Sequence, residues 1–230
     1  MISRLHDAAH AMKQLVLELA PQPEPTLDNY IPGRNANTLT ALRTLVFAPE
    51  RGAVVYLYGE GGSGKSHLIR AVGEMWRHQG RSLTHFLAVD DVHQLDDNAQ
   101  GALFDAFNEA RATGGAIIAA GDITPRELRV REDLRTRLAS GLAFLLQPLS
   151  DAEKTTALKQ RAGELGVRLG DEAIAYLLTH VRRDMPTLIA VLDGIDRYSL
   201  ATKRPVTLPL IREALQTLEI GASGARSVPR

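Results

Sequence analysis

The sequence contains no cysteine, few aromatic residues and no excess of either charge. Without cysteine the chain forms neither disulfides nor a thiolate nucleophile, and thiolate zinc sites are excluded. This fits a reducing compartment, so we expect a cytoplasmic protein. Lysine and arginine total 27, and aspartate and glutamate also total 27, so no net positive field draws the chain onto nucleic acid. Direct, sequence-specific DNA binding is therefore not expected.

Long hydrophobic runs are also lacking. The apolar residues near the start are interrupted by Arg4, Asp7, Lys13 and Glu18, so they form no secretory signal. No other stretch reaches the roughly 18 to 20 apolar residues that a membrane-spanning helix needs. We therefore expect no membrane association. Met12 is an alternative start of the chain.

A composition of 230 residues with 44% hydrophobic residues supports a substantial core. Short apolar runs alternate with segments of helical periodicity, which predicts an α/β fold with a parallel sheet flanked by helices. The predicted strands are 53–58, 84–89, 115–120 and 142–146, and the predicted helices between and before them are 35–47, 66–79, 97–112 and 126–139. After Pro148 the strand pattern stops, and Ser150 with Glu153 forms a capping box that begins a helical region.

These patterns predict four parts of the chain. Residues 1–26 form an N-terminal peptide and a linker, because the three prolines within 21–26 prevent a helix or central strand. Residues 27–148 form the nucleotide-binding core, and residues 149–220 form a small all-helical domain. We expect the tail, 221–230, to be disordered.

A glycine-rich motif follows the first predicted strand. Residues 59–66 read GEGGSGKS and match the phosphate-binding loop G-x-x-x-x-G-K-S, or P-loop, in its strand–loop–helix context. Such a loop points backbone amides at phosphate oxygens, with the lysine on the terminal phosphates and the serine on Mg²⁺. A plain glycine-rich turn is the alternative. The predicted ATP or ADP contacts are Gly59, Gly61, Gly62, Ser63, Gly64, Lys65, Ser66 and His67.

Acidic residues follow the next two predicted strands. Asp90 and Asp91 end the segment 84–89, and we predict that Asp90, with Ser66, holds Mg²⁺ while Asp91 is a candidate base. Asp122 follows 115–120 and is a candidate sensor of the γ-phosphate. A solvated acidic pair and an ordinary Gly-Asp turn are the alternatives.

Together these motifs resemble the AAA+ ATPases, and the DnaA branch in particular. The lead-in PTLDNYIPGRN, residues 25–35, resembles the segment that contacts the adenine in that branch. The resemblance implies adenine contacts from Asn29, Tyr30 and Ile31. The Asp-Asp pair, Asp90 and Asp91, also resembles this branch, because most other AAA+ proteins have Asp-Glu at these two positions.

The segment REDLRTRLASGL, residues 131–142, resembles the arginine-finger box of the same branch. The resemblance implies that Arg137 acts in trans on a nucleotide held by another protein. On spacing alone, Arg131, Arg135 and Arg137 are equally a solvated helix face that pairs with Glu132 and Asp133.

The helical region adds a narrower resemblance. LQPLSDAEKTTALKQRA and RRDMPTLIAVLDGIDRYSL are similar to the Hda family, the regulatory inactivators of DnaA, and nothing after residue 219 resembles the helix-turn-helix domain of DnaA itself. The resemblance implies that DnaA and the DNA polymerase III beta sliding clamp on DNA are partners. It also implies stimulated hydrolysis of DnaA-bound ATP, which prevents re-initiation of replication. A homo-oligomer is compatible with this family.

The peptide QLVLEL, residues 14–19, has the form of a sliding-clamp-binding segment. The resemblance implies that it binds the clamp in extended form through Gln14, Leu15, Leu17 and Leu19. Leu15 and Leu19 also have the spacing of an amphipathic helix start, which remains an alternative. In the alternative function, a self-contained P-loop ATPase such as a DnaC-like helicase loader, this peptide is incidental.

Two features depart from the family pattern. About two dozen residues separate Lys65 from Asp90, whereas AAA+ folds usually place a further strand and helix there. We therefore expect either a sheet that is one strand short or a sequence with an internal deletion. Pro186 stands where DnaA relatives carry a lid arginine, and Arg182 or Arg183 is the candidate substitute. We therefore expect at most weak intrinsic ATP hydrolysis.

Overall fold

The computed structural model describes residues 24–48, 50, 52–80 and 85–217. The predicted clamp-binding residues 14–19 lie outside these ranges. The described residues form two units, a sheet unit, Glu24–Leu149, and a helical unit that begins at Ser150. The sheet unit contains strands β1 (Val54–Tyr58), β2 (Phe86–Val89), β3 (Ala116–Gly121) and β4 (Leu142–Leu145) and helices α1 (Ala36–Phe47), α2 (Lys65–His78), α3 (Asp97–Ala112) and α4 (Glu132–Ala139).

The four strands form one parallel sheet in the order β2-β3-β1-β4. The predicted fold class is confirmed. Because side chains alternate along a strand, Val55 and Leu57 of β1 join the core on one face while Val54 and Tyr56 join the core on the other. Burial on both faces explains why these strands appear as continuous apolar runs in the sequence.

Helices cover both faces of the sheet. On one face α1 and α2 contribute Leu42, Leu68 and Trp76 to the core, and on the other face α3 and α4 contribute Phe107 and Leu134. Since the strands are parallel, their carboxyl ends share one edge, and the loops after β1, β2 and β3 meet there. This is the edge at which open α/β sheets bind ligands.

The helix predicted over 126–139 is only partly correct. Pro125–Glu127 forms a 3₁₀ turn, and α4 begins at Glu132. The buried side chain of Gln100 on α3 accepts a hydrogen bond from the backbone N–H of Arg131 at 2.8 Å, which fixes the chain in an extended conformation just before α4. A tertiary contact therefore overrides local helix propensity and leaves α4 short.

The helical unit consists of α5 (Asp151–Glu164), α6 (Asp171–His180), α7 (Met185–Thr202) and α8 (Leu208–Thr217). Ser150 and Glu153 form the predicted capping box at the start of α5. Arg161 of α5 makes a two-pronged pair with Asp193 of α7, at 3.0 and 3.1 Å. The core is mostly aliphatic, with Leu158, Leu177, Leu188, Ile195 and Leu210 among its members, and it also contains Tyr198. None of the helices in the described ranges is long and apolar enough to cross a membrane.

Candidate nucleotide site and arginine face

The P-loop between β1 and α2 depends on glycine at several positions. Gly59, Gly62 and Gly64 have φ values of 144°, 78° and 96°, which side chains with a Cβ rarely adopt. A Cβ on Gly59 would overlap the carbonyl oxygen of Leu146, and one on Gly64 would lie 2.6 Å from the Tyr30 ring. A Cβ on Gly61 or Gly62 would meet nothing within 4 Å. The loop is therefore packed against protein at its ends and borders open space in its middle.

The residues around the loop fit a phosphate group. Lys65 is only 8% exposed, and its ammonium donates to the carbonyl oxygens of Gly59 and Glu60 at 2.5 and 3.0 Å. The Oγ of Ser63 is buried and has no hydrogen-bond partner among the residues that the structure describes. The first N–H groups and the dipole of α2, a helix of 14 residues, favour an anion at this end. A phosphate would supply the acceptor that the Ser63 hydroxyl lacks, and it would place a negative charge beside the buried Lys65 ammonium, whose two described acceptors are neutral carbonyl oxygens.

The acidic residues follow the ends of two strands at the same edge of the sheet. Register pairs Tyr58 with Gly121, and Val89 with Ala119. Asp122 therefore follows the strand beside β1, and Asp90 follows the next strand along the same edge of the sheet. Mg²⁺ prefers one or two carboxylates together with phosphate oxygens and water. Ser66, the second residue of α2, and Asp90 fit that preference.

Asp91 has an unusual backbone. Its φ of 47° lies in the left-handed region, which aspartate and asparagine tolerate better than other residues with a Cβ. Its N–H donates to Oδ1 of Asp90 at 3.0 Å, and its side chain is exposed. The turn therefore orients the Asp90 carboxylate and leaves the Asp91 carboxylate in solvent.

Two residues that sequence reasoning missed lie at the end of β3. His93 lies in the turn after Asp91, and its Nδ1 is 3.5 Å from Oδ1 of Asp122. The buried Tyr56 of β1 donates its hydroxyl to the carbonyl oxygen of Ile123 at 3.2 Å. Burial raises the pKa of Tyr56, and the neighbouring Asp122 raises it further, so the hydroxyl stays a donor. No motif marks these residues, because their partners are distant in the sequence.

The lead-in packs against the P-loop, as its position in the sequence suggested. Tyr30 donates its hydroxyl to the carbonyl oxygen of Ser63 at 3.2 Å, and its ring lies 5.6 Å from that of His67. His67 Nε2 lies 2.9 Å from the carbonyl oxygen of Thr26. Burial lowers the pKa of His67, which favours the neutral ring. Of the three predicted adenine contacts, Tyr30 therefore lies next to the loop.

The other two predicted adenine contacts are placed differently. The side chain of Asn29 closes a turn within the lead-in, accepting from the N–H of Thr26 at 2.9 Å and donating to the carbonyl oxygen of Glu24 at 2.9 Å. Ile31 is half-buried. Asn29 is therefore engaged in local structure.

The three arginines of the predicted finger box differ in their partners. Arg131 pairs with Asp133 at 2.7 Å, and Arg135 lies 3.9 Å from Glu132. The guanidinium of Arg137 has no ion pair or hydrogen bond with the described part of the chain. Arg137 borders a recess of about 530 Å³, whose other lining residues are Phe104, Glu132, Asp133 and Thr136. The solvated, paired face that spacing allowed is thus present for Arg131 and Arg135, while the donors of Arg137 remain available.

The candidate lid arginines have partners inside the helical unit. Arg182 pairs with Asp184 at 2.9 Å, and Arg183 donates to the carbonyl oxygen of Leu178 at 3.0 Å. Pro186 lies in the first turn of α7, where its missing N–H costs nothing. These contacts hold both arginines in local structure.

Comparison with known proteins finds likenesses for the helical unit and for the overall fold. The helical unit matches the family model described as "Hda, lid domain" over residues 151–215. The chain is also similar to domain III of the replication initiation protein DnaA from Thermotoga maritima, with 21% identity and a TM-score of 0.66, over 89% of this chain and 100% of that one. The helical unit is therefore similar to an Hda lid domain, and the fold of the chain is similar to that of DnaA domain III.

Two further solved structures are similar to this chain in fold. AMPPCP-bound DnaA from Aquifex aeolicus is similar at 22% identity and a TM-score of 0.60, over 77% of this chain and 64% of that one. A point mutant of RuvB from Thermotoga maritima is similar at 17% identity and a TM-score of 0.60, over 90% of this chain and 77% of that one. At these identities the likeness is one of fold.

The packed and open glycines of the loop predict different effects of an added methyl group. Gly64→Ala forces a left-handed residue with a Cβ against Tyr30, so we expect a loss of roughly 1 to 3 kcal/mol in the free energy of unfolding. Gly61→Ala, the matched control, adds its Cβ in open space and should change that free energy by less than about 0.5 kcal/mol. Chemical denaturation measures both, and equal stabilities would contradict the described loop.

Proposed function

We propose that this protein is a regulator of DnaA that binds adenine nucleotide and Mg²⁺ at its own P-loop and the sliding clamp through residues 14–19. In this function it stimulates hydrolysis of the ATP bound to DnaA and so prevents re-initiation. The observation that carries the proposal is Arg137, whose guanidinium lacks a partner in the described part of the chain while Arg131 and Arg135 are paired. The match of residues 151–215 to the Hda lid supports the choice of DnaA as partner.

Nucleotide binding at the protein's own P-loop is supported by the chemistry of the site. Lys65 and the amides at the start of α2 would hold the phosphates, and Ser63 would gain a hydrogen-bond partner. Ser66 and Asp90 would hold Mg²⁺, which neutralises phosphate charge when bound. An adenine nucleotide is proposed because the fold neighbour from Aquifex aeolicus carries AMPPCP, and Tyr30 with His67 lies beside the loop.

The proposed chemistry takes place on the partner. Arginine stays charged at all relevant pH values and presents a planar set of donors that matches phosphate oxygens. Arg137 lies in the last turn of the short helix α4, which fixes its backbone. Docked against DnaA, its guanidinium would stabilise the negative charge that develops on the transferred phosphoryl group. Arginines in this role contribute roughly a thousandfold or more in rate.

We propose weak turnover of the protein's own nucleotide. The carboxylate of Asp91, the candidate base, is exposed, and Asp122, the candidate sensor, lies beside His93. Pro186 supplies no charge at the lid position, and both nearby arginines have local partners. This arrangement favours a nucleotide with a structural role over a self-contained ATPase such as a DnaC-like helicase loader.

The peptide 14–19 is the proposed clamp-binding segment. Its leucines at alternating positions suit an extended strand that places Leu15, Leu17 and Leu19 in one apolar groove, with Gln14 at the edge. The prolines within 21–26 follow it and separate it from the sheet unit. A clamp on replicated DNA would then bring Arg137 to DnaA in the cytoplasm.

Arg137→Ala should abolish the stimulated hydrolysis of DnaA-bound ATP. Removal of the guanidinium removes charge stabilisation in the transition state, so we expect a loss of roughly a thousandfold in the stimulated rate. Single-turnover hydrolysis on DnaA, with clamp-loaded DNA, measures this rate. Arg135→Ala is the matched control and should retain stimulation, because Arg135 already pairs with Glu132. If Arg135→Ala lost the stimulated hydrolysis and Arg137→Ala retained it, Arg135 and not Arg137 would be the arginine finger.

Clamp binding should depend on alternate residues of the peptide. Gln14→Ala and Leu17→Ala each remove a contact with the clamp, so we expect each to weaken binding at least tenfold in a pull-down or titration. Val16→Ala is the matched control, because an extended strand points Val16 away from the groove. Equal binding by all three variants would contradict the clamp-binding role.

A further inference from the structure

A buried asparagine joins two segments of the sheet unit that lie far apart in the sequence. Asn35 is 4% exposed, and its side-chain amide pairs with the backbone of Gln147: Oδ1 accepts from the N–H at 2.9 Å and Nδ2 donates to the carbonyl oxygen at 2.9 Å. The backbone N–H can only donate and the carbonyl can only accept, so the pairing fixes the orientation of the amide. Gln147 and Pro148 lie where the chain leaves β4 for the helical unit.

The same amide reaches the P-loop through one intermediate. Nδ2 of Asn35 also donates to the hydroxyl of Tyr30 at 3.2 Å, and that hydroxyl donates to the carbonyl oxygen of Ser63 at 3.2 Å. A continuous chain of hydrogen bonds therefore runs from Ser63 through Tyr30 and Asn35 to Gln147. Hydrogen bonds in such a chain polarise and strengthen one another.

A direct contact parallels this chain. The backbone of Gly59, the first residue of the P-loop, approaches the carbonyl oxygen of Leu146 so closely that a Cβ would overlap it. The N–H of Leu146 also donates to the carbonyl oxygen of Tyr58 at 2.7 Å. Gly59 is thus in direct contact with the segment 146–147, and Ser63 is linked to it through Tyr30 and Asn35.

Phosphate binding would disturb this region. The ammonium of Lys65 donates to the carbonyl oxygens of Gly59 and Glu60, and a phosphate competes for it with stronger, charge-assisted hydrogen bonds. The loop then wraps the phosphate, which restrains its backbone up to Ser63, the acceptor for Tyr30.

We propose that Asn35 and Tyr30 are positioning residues that couple nucleotide occupancy of the P-loop to the fixation of Gln147, where the chain leaves the sheet. The inference rests on the proposed nucleotide binding. It adds a route of hydrogen bonds through which nucleotide binding at the P-loop affects Gln147, where the connection to the helical unit begins. Because coupling is reciprocal, loss of the route also weakens nucleotide binding.

The amide exchange of Gln147, followed by NMR with and without Mg²⁺-ADP, tests the coupling. In the wild-type protein we expect ADP to slow exchange of this amide at least fivefold, within the usual range of coupling between sites. Tyr30→Phe keeps the ring but removes the hydroxyl that joins Asn35 to Ser63. In this variant the ADP effect on Gln147 should fall below about twofold, and the Kd for ADP should rise about fivefold. A merely structural role of the hydroxyl would leave the ADP effect unchanged.

Arg34→Ala is the matched control. Arg34 touches the same segment, donating to the carbonyl oxygen of Pro148 at 3.4 Å, but its described hydrogen bonds do not include Tyr30 or the loop. It should keep the full ADP effect. A wild-type protein that binds ADP without any change at Gln147, or a Tyr30→Phe variant that keeps the change, would overturn the inference alone. A wild-type protein that binds neither ADP nor ATP in calorimetry would overturn the nucleotide part of the proposed function and this inference with it.

Discussion

The close packing of the P-loop backbone is the constraint on which the candidate site depends. Gly59 rests on the Leu146 carbonyl, and Gly64 begins α2 beneath the Tyr30 ring, so the loop enters and leaves at fixed points. Only glycine permits both approaches at the observed φ values. Between these held ends, the buried Ser63 hydroxyl and the Lys65 ammonium lie at the start of α2, where the first amides of the helix are. The parallel sheet places the acidic turns of β2 and β3 at the same edge.

The arginines on and just before α4 differ in their ion pairs. An arginine that already satisfies a carboxylate would have to break that pair before it could serve a phosphate on another protein. Arg131 and Arg135 each have a carboxylate partner, at 2.7 and 3.9 Å. Among the described residues, the guanidinium of Arg137 has none. The short length of α4 follows from the contact of Gln100 with the backbone before it, so a buried amide on α3 sets where the arginine face begins.

Local patterns in the sequence predict those features that depend on neighbours along the chain. The apolar runs predict the strands, the GEGGSGKS motif predicts the loop, and Ser150 with Glu153 predicts the start of α5. The roles of Asn35 and His93 could not be predicted, because each depends on a partner that only the fold brings close, Gln147 and Asp122 respectively. The break before α4 was missed for the same reason.

The central claim is that the catalysed hydrolysis occurs on DnaA and not at the protein's own P-loop. The most direct measurement loads DnaA with γ-labelled ATP, loads this protein with ADP, and follows the label after clamp-loaded DNA is added. The account predicts rapid loss of label from DnaA while the ADP of the regulator stays in place. Persistence of the label on DnaA, together with brisk hydrolysis of free ATP by this protein alone, would contradict the account.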